Sequence, residues 1–202
     1  AGLMGAGIAY HCARLGIETV LIDRDQAAAD KGKAYASTRL ERDISKGRST
    51  QDKVDAILAR IHPGTDYAAL ADVELVVEAV FEDRALKAEI TRKLDAVLAP
   101  QAVIASNTSA LPISELAEAG AHPENFIGMH FFSPVERMPL VEIVRGRKTS
   151  PAALARALDL VQAMKKTPMK TKGHSHAMPL PRSALAWAAQ LSVCCLLKNF
   201  SQ

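Results

Sequence analysis

Aromatic residues are scarce in this chain, at 4% of 202 residues, which argues against a surface that stacks nucleobases. Cysteine is scarcer. Cys12, Cys194 and Cys195 give neither a disulfide framework nor the spacing of a zinc site, a pattern that fits a reducing compartment. No block of one charge sign stands out: Lys and Arg, 25 in all, are interspersed with 22 Asp and Glu for a net charge of +3. That balance points to no nucleic-acid partner. The apolar stretch Ala184 to Leu197 has 14 residues and contains Gln190 and Ser192, short of the run of about 18 that suggests a membrane span. His174 and His176 stand as a pair, but no third or fourth ligand follows at metal-site spacing, so no metal is expected. No signal-peptide pattern is visible within these residues. What remains, 49% apolar and 23% charged, is an ordinary globular composition.

The first positive signal is AGLMGAGIAY, residues 1–10. Gly2, Leu3, Met4 and Gly5 match the later part of a G-x-G-x-x-G fingerprint, with Gly2 and Gly5 as its second and third glycines. Asp23 follows Gly5 by 18 residues, close to the roughly 20 expected of a dinucleotide site. A glycine without Cβ lets backbone approach a pyrophosphate, and the helix that follows, about Met4 to Leu15, aims its N–H groups at the phosphates. Asp23, at the end of the strand Glu18 to Ile22, would accept hydrogen bonds from the adenosine ribose. A carboxylate there favours NAD over NADP.

Strand and helix signals alternate, which predicts an α/β parallel sheet. Helices are expected over Gln26 to Lys46 and Thr50 to Ile61, with Gly47 as the stop between them, forming a hairpin excursion out of the sheet. Its charged run Arg39 to Arg48 reads as a solvated helix face. Strands are expected at Val73 to Val80, Val103 to Ser106, Phe126 to Phe132 and Leu140 to Arg145. Further helices are expected at Arg84 to Leu98, Ile113 to Ala119 and Pro151 to Met164.

Two more blocks carry chemistry: ASNTSAL, residues 105–111, and IGMHFFSPVERMPLVE, residues 127–142. If the strands flanking SPVERMP pair antiparallel about Glu136, His130 and Glu142 face each other, with Cβ atoms about 4.5–5.5 Å apart. A carboxylate at that range fixes which imidazole nitrogen carries the proton. The other polar residues are open on this basis alone. SNTS before Pro112 suits a turn or cap, Lys87 suits a helix surface, and Glu82-Asp83 suits a helix start.

The glycine fingerprint, the SNTS block and the HFFSPVERMPLVEI block, in this order, resemble the NAD-binding domain of L-3-hydroxyacyl-CoA dehydrogenases. The third block is most similar to the dehydrogenase part of multifunctional fatty-acid oxidation proteins. The resemblance spans about Ala1 to Pro168 and implies a Rossmann-type, doubly wound, mostly parallel sheet. It implies hydride transfer to NAD from the 3-hydroxyl of an acyl-CoA in β-oxidation. His130 is then the general base, Glu142 orients it, and Ser109 hydrogen-bonds the substrate oxygen. Glu82, Lys87 and Asn107 take cofactor positions beside Gly2, Leu3, Met4, Gly5 and Asp23. Such enzymes are dimeric or part of multienzyme assemblies, cytoplasmic in bacteria and mitochondrial or peroxisomal in eukaryotes.

The resemblance stops after Lys166-Thr167-Pro168. Residues 169–202 read as a tail unrelated to the family, as a shifted reading frame would leave, and MKTKGHSHAM lacks the β-branched run of a strand. The family's first strand and its C-terminal helical domain have no counterpart in these residues. A vacant central sheet position, weak NAD binding and little turnover of acetoacetyl-CoA with NADH are therefore expected. A non-catalytic NAD-binding fragment is the alternative reading. A 6-phosphogluconate or UDP-sugar type of dehydrogenase fits the HFFSPVERMPLVEI block less well.

Overall fold

A computed structural model of the chain describes residues 2–172 and 195–198. Its elements, in chain order, are α1 (Leu3–Arg14), β1 (Glu18–Ile22), α2 (Gln26–Ser45), α3 (Gln51–Ala59), β2 (Ile61–Gly64), β3 (Leu75–Glu78), α4 (Arg84–Asp95), β4 (Val103–Ser106), α5 (Ile113–Ala117), β5 (Phe126–Phe131), β6 (Leu140–Arg145), α6 (Pro151–Ala163), β7 (Thr167–Lys172) and β8 (Cys195–Lys198). The strands form one eight-stranded sheet in the order β2-β1-β8-β3-β4-β5-β6-β7. Neighbours β1 and β2, β3 and β4, β4 and β5, and β6 and β7 are parallel.

The central strands LVVE and VIAS are buried along their whole length, as expected of parallel strands covered on both faces. Alternate residues feed two cores. Leu21, Leu75, Val77 and Ile127 join Ile8, Phe131 and Leu160 on the face covered by α1, α2 and α6. Val20, Ile22, Val76 and Ile104 join Ile90, Leu94 and Ile113 on the face covered by α4 and α5.

The expected helical hairpin is present. Asp25 caps α2 by accepting from the Ala28 N–H at 2.8 Å, and Gly47 ends the turn after it in the left-handed region, φ +66°, where a Cβ would strain the backbone. Arg39 departs from the solvated face expected of it. Its guanidinium Nε lies 2.9 Å from Glu136 Oε1 and its Cζ lies 3.4 Å from the Tyr35 ring centroid. The charge is thus turned inward, where it clasps α2 to the β5–β6 connection.

Three strands depart from the sequence-based expectation. β2, whose Ile61 was expected to end a helix, contains Pro63 and Gly64, residues that disfavour strand interiors; it is tolerated because β2 is the sheet edge. β7 runs through the segment expected to lack a strand. It pairs with β6 residue for residue from Thr167↔Leu140 to Lys172↔Arg145, and backbone ladders at an edge need no β-branched side chains. Finally, the central position expected to be vacant is filled. β8 lies between β1 and β3, antiparallel to both. Of residues 169–202, only 169–172 and 195–198 belong to the described part, so His174, His176 and Cys194 lie outside the described residues. Among the described residues, no helix is long and apolar enough to cross a membrane.

Because β8 supplies the ladder for two strands that otherwise face an open slot, a variant ending at Lys172 is expected to lose stability. Each backbone hydrogen bond contributes a net of about 0.5–1.5 kcal/mol, so the loss is on the order of several kcal/mol, with faster aggregation from the exposed edges. Thermal unfolding and light scattering of the two chains check this; equal melting would contradict the β8 assignment.

Candidate functional site

Since β8 is antiparallel to both β1 and β3, these two strands run the same way, as do β4 and β5. Their C-terminal ends share one edge of the sheet. Chain order reverses between β1 and β3, and in open α/β sheets the crevice at such a reversal is where ligands bind. The candidate residues come from these strand ends and from the start of α1.

Gly2 is the N-cap of α1, in extended conformation, and the first turn of α1 holds no acidic residue. The first-turn N–H groups and the positive dipole end of this helix suit a phosphate. Leu3 is half exposed, while Gly5, Ala6 and Gly7 are buried. A Cβ on Gly7 would lie 3.2 Å from Val135 Cγ2, so α1 rests closely on the β5–β6 connection. Asp23, just past β1, is 2% exposed, and its Oδ1 accepts the Arg24 N–H at 2.7 Å. This is the position from which a carboxylate meets a ribose in such folds. The glycine turn, the uncharged helix start and the acid at the end of β1 therefore fit a dinucleotide.

The ends of β3 and β4 are stitched together by carboxylates. Glu82 Oε1 accepts from the Thr108 hydroxyl and from the N–H groups of Ser109 and Ala110, both at 3.0 Å. Its Oε2 lies 3.5 Å from Lys87 Nζ. Burial pushes the Glu82 carboxyl up, but the Lys87 ammonium and these hydrogen bonds outweigh it and hold it below the usual glutamate range. Lys87, a cofactor position by the resemblance, is 1% exposed, with its ammonium paired to Glu78 at 2.9 Å. Asn107 Oδ1 accepts from the Phe131 N–H at 2.8 Å, so it clips the loop after β4 to the residue beside His130.

β5 and β6 form the antiparallel pair, and the ladder sets His130 opposite Glu142. His130 Nδ1 lies 3.3 Å from Glu142 Oε2, a long hydrogen bond. The histidine side chain is 14% exposed and the glutamate 4%. The ring lies 4.8 Å from that of Phe132. Lys166 Nζ donates at 2.6 Å to the carbonyls of both Val135 and Met138, which pins the connection between the two strands.

The structure thus brings Asp23, Glu82, Asn107, Ser109, His130 and Glu142 to one edge of the sheet, with Lys87 of α4 beneath Glu82. Sequence reasoning missed Glu78 and Ser106 as polar members of the cluster. Glu78 sits inside an apolar strand run, and that incongruity was the available signal. Among the described residues no group of three His, Cys, Asp or Glu is placed to hold a metal.

Fold and site together define a dinucleotide-binding domain. The sequence model of the 3-hydroxyacyl-CoA dehydrogenase NAD binding domain matches residues 1–174, and the chain belongs to that family, whose cofactor is NAD. M. tuberculosis FadB2 is 39% identical, with a TM-score of 0.83, over 88% of this chain and 64% of that one. The (S)-3-hydroxybutyryl-CoA dehydrogenase PaaH1 of Ralstonia eutropha is 38% identical, with a TM-score of 0.83, over 90% and 64%. The dehydrogenase part of multifunctional enzyme 1 from C. elegans is 31% identical, with a TM-score of 0.74, over 84% and 39%. The chain therefore spans less than two thirds of the length of these solved structures.

Glu82 yields a test by pH. Its native pKa is below its unfolded value, so its contribution is full above about pH 4.3 and fades as pH falls through the lower native value. The stability gap between the wild type and Glu82→Gln should be widest near neutrality and close in acid. Denaturant titrations at several pH values check this, and a gap independent of pH would contradict the assignment.

Proposed function

We propose that this chain is the cofactor domain of an NAD-dependent dehydrogenase acting on the 3-hydroxyl of an L-3-hydroxyacyl-CoA, as in β-oxidation. The single observation that supports this best is the His130–Glu142 pair, set across one ladder beside the loop after β4. Oxidation removes the carbinol C–H as hydride and the O–H as a proton, leaving a ketone. Bound NAD would supply the hydride acceptor.

The protein's own task is the proton and the geometry. With Nδ1 donating to Glu142, His130 presents Nε2 as the base for the hydroxyl proton. Glu142 fixes that tautomer and stabilises the imidazolium that forms. The Ser109 hydroxyl orients the substrate oxygen, and Asn107 and Glu82 fix the loop that carries Ser109. Gly2, Leu3, Met4 and Gly5 receive the pyrophosphate, and Asp23 receives the adenosine ribose. Lys87 acts from beneath, through Glu82. Assembly as a dimer or within a larger multifunctional chain belongs to the same reading. The larger multifunctional chain is supported by the C. elegans relative, which is part of a multifunctional enzyme.

Two measurements test this. NADH titration followed by fluorescence should give saturable binding that Asp23→Ala weakens at least about tenfold, a change near 1.4 kcal/mol. The rate with acetoacetyl-CoA and NADH should fall about 10²–10⁴-fold in His130→Gln, with NADH affinity retained. NADH binding with a rate indifferent to His130 would leave only a nucleotide-binding module.

A further inference from the structure

The buried polar knot under the β3 and β4 strand ends is larger than the site just described requires. Glu78, the last residue of β3, is 2% exposed and stands opposite Ser106 in the parallel ladder. Its Oε1 accepts from the Val80 N–H at 2.7 Å and from Lys87 Nζ at 2.9 Å. Its Oε2 accepts from the Ser106 hydroxyl at 2.6 Å and from Lys87 Nζ at 3.1 Å. The ammonium also donates to the Val80 carbonyl at 3.3 Å. It then lies 3.5 Å from Glu82 Oε2, the carboxylate whose other oxygen gathers the backbone of Ser109 and Ala110. The main chain repeats the link, since the Asn107 N–H donates to the Glu78 carbonyl at 2.7 Å.

A buried ion pair is weak as a source of stability, because apolar groups of the same size often do as well. Here the cation serves two carboxylates. One is fully buried and fixed by a hydroxyl and an N–H. The other is one-third exposed and holds the loop of residues 107–110. A cation locked in a low-dielectric pocket has one preferred place, and it transmits that place to the second carboxylate.

Taking the proposed function as given, we propose that Glu78 is a positioning residue for this site: it anchors the Lys87 ammonium beneath Glu82 and thereby fixes the loop that presents Asn107 and Ser109. Glu78 touches neither substrate nor cofactor in this account. Its effect passes through Lys87 and Glu82.

The test uses the full chain and the double variant Glu78→Gln/Lys87→Met, which leaves no lone buried charge. Its melting temperature should stay close to that of the wild type. Hydrogen exchange of the Ser109 and Ala110 amides should nevertheless accelerate at least about tenfold, while amides of α6 keep their protection. NADH should bind more weakly, a change that lost packing elsewhere would not produce in a chain that melts normally. Unchanged protection at Ser109 and Ala110 in a folded double variant would overturn the proposal. If the double variant does not fold, Ser106→Ala serves. It removes one hydroxyl from Glu78 and should still accelerate exchange at those two amides selectively; exchange equal to the wild type there would overturn the proposal. Failure of the functional reading looks different: no NADH binding by the wild type, with the exchange result intact.

Discussion

The parallel run of β1, β3 and β4 is the constraint on which everything else depends. Parallel strands deliver their C-terminal residues to one edge, and here that edge collects Asp23, Glu82 and the 107–110 loop, with His130 supplied by β5 alongside. The start of α1 follows directly on the reversal of chain order, which directs its first-turn N–H groups toward the same crevice. A sheet with these strands alternating in direction would scatter the same residues to opposite edges. It is the sheet, more than any local motif, that assembles the site.

Two kinds of electrostatic work divide the cluster. At β3 and β4, carboxylates act as acceptors for the backbone: Glu82 gathers Ser109 and Ala110, and Glu78 gathers Val80 and Lys87. These contacts fix geometry. At β5 and β6, Glu142 faces an imidazole, the one contact in the set suited to proton transfer. The switch from parallel to antiparallel pairing at β5–β6 makes this contact possible, because a short connection can then place residues 12 positions apart directly opposite one another. That connection is in turn held from three sides, by Gly7 packed on Val135, by Arg39 on Glu136 and by Lys166 on two carbonyls.

Much of this was legible in the sequence. VELVVEAV contains a strand because a buried parallel strand needs apolar residues on both faces. The His130–Glu142 pairing followed from the symmetry of the segment about Glu136. The hairpin α2–α3 followed from its polar composition and Gly47. What was not legible depended on distant partners. IHPG becomes a strand only by lying beside β1, and TPMKTK only by lying beside β6. β8 enters the centre of the sheet against the direction of its neighbours, which no local pattern encodes. Lys87 looked like a surface charge because its partner Glu78 comes from the preceding strand. Arg39 looked solvated because Glu136 lies 97 positions away.

The central claim is that His130, held by Glu142, faces a nicotinamide bound over the start of α1. Nitrogen-15 spectra of the His130 imidazole, recorded with and without NADH, test it most directly. The account predicts the tautomer with its proton on Nδ1, with resonances that move on NADH addition and lose their tautomer preference in Glu142→Gln. A ring protonated at Nε2, or one whose resonances ignore both NADH and Glu142, would contradict it.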